Sequence, residues 1–145
     1  MRKFAVLGAA RIAVTARAQT VTQKSGWAAY QTEINRIIGK VNGKCGSQIS
    51  ASYNQSTYLE SDPIQDRTQS ACQQAFGAME TVCATDAGKQ AVKGLKFTVC
   101  EFSTTGTSVS VSNSTLKIKI DPKNSSITGK QPGPYSWKSA LEETL

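Results

Sequence analysis

Residues 95–120 read LKFTVCEFSTTGTSVSVSNSTLKIKI, and within this stretch the apolar spacing changes to a period of two. Phe97 and Val99 alternate with polar residues, as do Val109 and Val111, and then Leu116, Ile118 and Ile120. Gly106 separates the first two runs and Asn113-Ser114 the last two. Successive side chains on a strand point to opposite faces, so each run offers one apolar face and one polar face. The pattern predicts a three-stranded antiparallel meander with these apolar residues on its buried face. Ser108, Ser110, Ser112, Thr115, Lys117 and Lys119 then face water.

Upstream the period is helical. Trp27, Tyr30, Ile34, Ile37, Ile38 and Val41 recur on one helical face, with Ser25 as N-cap and Gly43 as the stop. Asp62, Pro63 and Gln65 make a capping-box start to a second helix. Its stripe is Ile64, Thr68, Ala71, Cys72, Ala75, Phe76, Met79, Val82 and Cys83. Thr85 or Asp86 caps a further short helix to Lys93, which Gly94 ends. Ile49, Ala51 and Tyr53 alternate with serines, which suggests a short strand inside the polar segment 44–61. Residues 121–134 are loop, and Trp137 and Leu141 dock a last helical turn or two on the core. The expected architecture is α+β: two helices packed on a small antiparallel sheet of three to four strands.

There are four cysteines, Cys45, Cys72, Cys83 and Cys100, with no C-x-x-C pair and no histidine. An even count without metal-ligand spacing reads as two disulfides. Cys72 and Cys83 share the buried face of one helix, about 16 Å apart along its axis, which is too far to bridge. If the chain reverses near Gly94, Cys100 lies about 17–20 Å back along a strand, at the level of Cys83. The expected pairs are therefore Cys83–Cys100 and Cys45–Cys72.

The first eighteen residues carry Arg2, Lys3, Arg11 and Arg17, an apolar run from Phe4 to Ala10, and no acid. Ala16-Arg17-Ala18 fits small-x-small cleavage before Gln19, so residues 1–18 read as a signal peptide and 19–145 as one domain. Arg11 interrupts the apolar segment and leaves a mitochondrial presequence or a plain helix as competing readings. The run is too short to span a membrane. Of the seventeen cations in the chain, thirteen remain after residue 18 against ten acids, a net of +3. That balance argues against nucleic acid as a partner.

Histidine-dependent catalysis is excluded by composition. Ser114 and Lys117 match S-x-x-K, but a hairpin places them on opposite faces, whereas a dyad needs one helical face. Glu60, Asp62 and Asp66 are the densest acids; against a calcium site or a carboxylate pair stands the structural reading, in which Asp62 caps the helix and Asp66 sits in its first turn, where the dipole favours acids. Gly88-Lys89 lacks the upstream glycine of a phosphate loop. Trp27 and Tyr30 are spaced as core rather than as a ligand-stacking pair. Asn54, Asn113 and Asn124 begin acceptor sequons. No cofactor or metal site is expected. Lys117, Lys119 and Lys123, with Lys130 beyond them, form a cationic edge and are the candidate binding residues.

These readings lead to an exported domain, periplasmic or extracellular, with a non-catalytic binding or inhibitor role. Its expected partner is a protein or an anionic envelope component. The alternatives are a small hydrolase using carboxylates or a Ser-Lys pair, and a structural or surface subunit.

Overall fold

Helix α1 (Val21–Cys45) opens the computed structural model, which describes residues 21–58, 62–124 and 134–145. Strand β1 (Ser50–Tyr53), a 3-10 turn (Gln55–Thr57), α2 (Asp62–Val82) and α3 (Asp86–Lys93) follow. Then come β2 (Phe97–Phe102), β3 (Ser108–Ser112), β4 (Thr115–Ile120) and α4 (Pro134–Thr144). The expected leader, Glu60, the sequon residues after Asn124, and Lys130 lie outside the described residues. Among the described residues no helix is long and apolar enough to cross a membrane.

The α+β class and the two disulfides are present, but the sheet is mixed rather than antiparallel. Its strand order is β1-β2-β4-β3. β1 runs parallel to β2, β2 runs parallel to β4, and only β3–β4 is antiparallel. The chain leaves β2, passes over the position of β4 through residues 103–107, and descends as β3. It then returns as β4 between β2 and β3. Asn113 and Ser114 make the reversal with φ of 51° and 61°, both in the left-handed region that a two-residue type I′ hairpin requires. Asp121 anchors the far end: its carboxylate accepts from the amides of Gly106 (2.9 Å), Lys123 (2.9 Å) and Asn124 (3.3 Å). Ser103 N–H donates to Ile120 C=O at 2.8 Å, which draws the start of the crossover against the end of β4.

Helix α1 runs past Gly43 and ends at Cys45, with Gly46 at φ 67° as the left-handed stop. Asn42 clamps the turn that follows. Its side chain accepts from Ile49 N–H (2.9 Å) and Ser47 Oγ (2.7 Å) and donates to Ile49 C=O (3.0 Å). β1 then lies beside α1, where Gln31 Nε2 donates to Ala51 C=O at 3.0 Å. Trp27, Ile34, Ile38 and Val41 are buried on α1, as their spacing requires. Helix α2 packs against both α1 and α4, so burial on it extends beyond one stripe to Gln69 and Ala78. Trp137 and Leu141 of α4 are fully buried, so the docking of the last helix holds. Thr85 caps α3 by accepting from Gly88 N–H, and Gly94 ends it. A Cβ on Gly88 would overlap the carbonyl oxygen of Val82, so glycine is what lets α3 turn this closely against the end of α2.

The disulfides join Cys45 to Cys83 and Cys72 to Cys100, with Cα separations of 5.4 and 6.0 Å, and this corrects the expected pairing. The return distance of 17–20 Å was laid along one axis ending at Gly94. Helix α2 in fact ends at Val82, and α3 turns away from its line. Measured from that end, the same distance of about eleven to thirteen helical residues leads to residues 69–71, beside Cys72 and a full three turns from Cys83. β1 carries the chain back along α1 before α2 begins, so α1 and α2 finish side by side and Cys45 meets Cys83.

The bridge to Cys100 also corrects the facing of β2. Cys100 is buried against α2, so Thr98 shares its face and Phe97 and Val99 point the other way. Phe97 is 53% exposed. The inner face is instead built from Ala51, Tyr53, Thr98, Cys100, Leu116, Ile118 and Ile120.

Peptide mapping without reduction should recover Cys45–Cys83 and Cys72–Cys100, and any other pairing would refute this arrangement. The double variant Cys72→Ala/Cys100→Ala, which opens a bridge spanning 28 residues, should lose about 3–4 kcal/mol in urea unfolding.

Candidate functional site

All the described helices pack on one side of the sheet, and among the described residues no element covers the opposite face. Register sets out the rows of that face. Ser50, Phe97, Thr115 and Ser112 form one row; Ser52, Val99, Lys117 and Ser110 the next; Glu101, Lys119 and Ser108 a third. The two lysines are one strand repeat apart, about 7 Å, on the same strand. Both are half-buried along their stems, and their ammonium groups stand on an otherwise hydroxyl-rich surface.

Strand β4 lies inside the sheet, so Lys117 and Lys119 form a central ridge and not an edge. Lys117 Nζ lies 3.7 Å from Glu101 Oε1. That oxygen also accepts from Asn54 Nδ2 at 3.1 Å. Lys119 makes no ion pair among the described residues. Lys123 is exposed in the turn after β4, where its amide is bonded to Asp121. The structure thus brings Lys117 and Lys119 together on one face, with Lys123 beyond the end of their strand. Sequence reasoning missed Phe97 and Val99 as members of this face. The signal was available, because a bonded Cys100 fixes which residues of β2 can point outward.

A second feature is a cleft of about 330 Å³ between the end of α2, α3 and α4. It is lined by Val82, Thr85, Ala87, Gly88, Ala91, Glu142 and Leu145. Its two functional side chains are already engaged: the Thr85 hydroxyl caps α3, and Glu142 pairs with Lys138 at 3.3 Å. Ser114 and Lys117 do not meet as a dyad, because Ser114 occupies the left-handed hairpin turn and Lys117 the sheet face. Among the described residues no group of three acids or thiols is placed to hold a metal ion. The side chains of Asp62 and Asp66, like Glu60, lie outside the described residues.

Trp27 and Tyr30 belong to the core. Trp27 packs edge-on to Tyr30 and Tyr58, with centroids 5.9 and 5.0 Å apart, and tilts onto Tyr53 at 5.8 Å. The Tyr58 hydroxyl donates to Cys72 Sγ at 3.4 Å; the sulfur, being in a disulfide, has no proton to give. Burial pushes both Tyr53 and Tyr58 above the ordinary phenol range, because the phenolate would lose its hydration.

No protein-family model matches the chain, and neither a curated protein nor a solved structure resembles it significantly.

The buried phenols set an alkaline limit. A phenol whose folded pKa is raised binds its proton longer in the fold than in the unfolded chain. Stability should therefore fall as pH rises above about 10. Of the four tyrosines, Tyr53 and Tyr58 should ionise only as the chain unfolds. Phenolate absorbance followed alongside circular dichroism checks this; complete titration with the fold intact would contradict it.

Proposed function

We propose that the domain is an exported, non-catalytic binding or inhibitor-type module that meets an anionic partner on the open face of its sheet. The observation that carries this reading is the uncovered Lys117–Lys119 ridge, flanked by the outward Phe97 and Val99. Glu101 is the one acid in these rows, and at 3.7 Å it leans to Lys117 although it stands opposite Lys119 in register, so one carboxylate faces two ammonium groups among the described residues. The surface is broad and shallow, which suits a protein or an anionic envelope component better than a small substrate. The two disulfides fit an oxidising compartment, and the basic, apolar start of the chain supports export.

The test follows from the geometry. Glu at 117 or 119 would press a second carboxylate against Glu101, which pairs with Lys117 and stands opposite Lys119, so the variant of choice is Lys117→Gln/Lys119→Gln/Lys123→Glu. Exposed pairs contribute at most about 1 kcal/mol, so its melting temperature should stay within a few degrees of the parent. Binding to phosphatidylglycerol vesicles, weakened by salt in the parent, should be lost in the variant. Undiminished binding in the variant would remove the lysine ridge as the contact. Turnover in a broad hydrolase screen, abolished by Glu142→Gln or another single acid replacement, would overturn the non-catalytic reading.

A further inference from the structure

We infer that the free edge of β3 pairs with the same edge of a second copy of this chain, forming a two-fold dimer with one continuous sheet. This goes beyond the binding role proposed above and rests on different residues.

The two edges of the sheet are treated differently. Ser50 N–H and Asn54 N–H bond to Lys96 and Cys100 of the β2 segment, so the even residues of β1 face β2 and the odd ones face outward. Part of that outward row is covered from α1: Asn42 takes both the N–H and the C=O of Ile49, just before β1, and Gln31 takes Ala51 C=O. Unpaired strand edges invite pairing with another chain, and these side chains stand in the way of it here.

The edge at β3 has no such cover among the described residues. Behind a two-residue type I′ turn the flanking pair is hydrogen-bonded, so Ser112, Ser110 and Ser108 bond to β4. Val109 and Val111 then direct their N–H and C=O groups outward. Every residue of β3 is exposed except Val109, and Val111 is 39% exposed. The strand carries no charge, no proline and no bulge, the devices that usually protect an edge.

A second copy is the occupant this strand fits. Residues 108–112 read SVSVS, which is the same in both directions. A two-fold axis through Ser110 sets Ser110 opposite its counterpart, and Val109 opposite Val111 of the other copy. Two such valine pairs exchange four main-chain hydrogen bonds, with every valine on the inner face and every serine on the outer. Val109 is packed against the core whereas Val111 is not, so the helix layer covers one end of β3 only. The axis brings the covered end of each copy beside the bare end of the other. No charge is brought into contact, although each chain is basic overall at +7. A five-residue strand is about 17 Å long, and an edge that short buries less than the roughly 1,200 Å² of a stable interface. The dimer is therefore weak and concentration-dependent, and salt that screens the net charge strengthens it. That sign is opposite to the salt effect on an anionic partner at the lysine ridge, so the two proposals fail separately.

Sedimentation velocity over a range of concentrations tests it. The parent should rise towards twice the monomer mass as concentration increases. Ser110→Lys and Ser110→Glu should each weaken association about tenfold or more, because like charges face across the axis. An equimolar mixture of the two, at low salt, should associate at least as well as the parent. Unchanged thermal melts would show that both variants fold. A parent that stays monomeric throughout, as it would if this edge served another protein's extended segment, overturns the proposal. So does a dimer indifferent to both substitutions.

Discussion

The Cys72–Cys100 bridge is the constraint on which the rest of the sheet depends. A strand can face a helix with its odd or its even residues, and nothing in the backbone prefers either. Bonding Cys100 to a buried position of α2 removes that freedom for β2. Parallel register then carries the choice outward, since Tyr53 and Ile118 pair with Cys100, and Ala51 and Leu116 with Thr98. One covalent bond thereby decides that Leu116, Ile118 and Ile120 go inward and that Phe97, Val99, Glu101, Lys117 and Lys119 go outward. The second bridge, Cys45–Cys83, ties together the ends of the two long helices. The closed segments 45–83 and 72–100 overlap between residues 72 and 83, so neither part of the chain can open without straining the other. Each closed loop also lowers the entropy of the unfolded chain.

Much of this was legible in the sequence, and the limits have physical causes. The stripes of α1 and α2 were readable because a helix with one buried face repeats its apolar positions over many turns. The 113–114 turn, the alternation in β1 and β4, and the docking of Trp137 and Leu141 were readable for equally local reasons. Strand order was not. A meander and the observed skip of one strand use the same runs and similar loops, and the difference lies in the long-range hydrogen bonds of Asp121 and Ser103. The cysteine pairing failed on a measured length with the wrong origin, because a short helix turning off-axis looks in sequence like continued helix. The facing of β2 failed because Phe97 and Val99 are more apolar than Thr98, so hydropathy pointed one way and the disulfide the other.

The candidate site shows the same division. The lysines were found by type and spacing, but their setting was misjudged, because an edge and a centre differ only in strand order. Asn42 and Gln31 carried no signal at all. An amide on the polar side of a helix has many solvated explanations, and its role as the cover of a strand edge exists only once β1 lies alongside.

The asymmetry between the two edges explains why the chain retains an uncovered strand. β1 is four residues long and lies within reach of α1, whose Asn42 and Gln31 side chains occupy the outward groups of Ile49 and the carbonyl of Ala51. β3 sits at the far side of the sheet, where α4 covers one end of it and leaves Val111 bare. A Glu at position 110 would have protected this edge at little cost in stability, because position 110 lies on the open face opposite Lys117 and exposed substitutions usually shift stability by less than about 0.5 kcal/mol. In its place stands a neutral strand that reads identically in either direction. A strand that merely tolerates exposure has no need of that symmetry, whereas one that meets its own copy about a two-fold axis requires each position to accept its mirror partner. The palindrome is in this sense the same kind of evidence as the parity of Cys100: a local sequence feature whose cause lies in a distant surface.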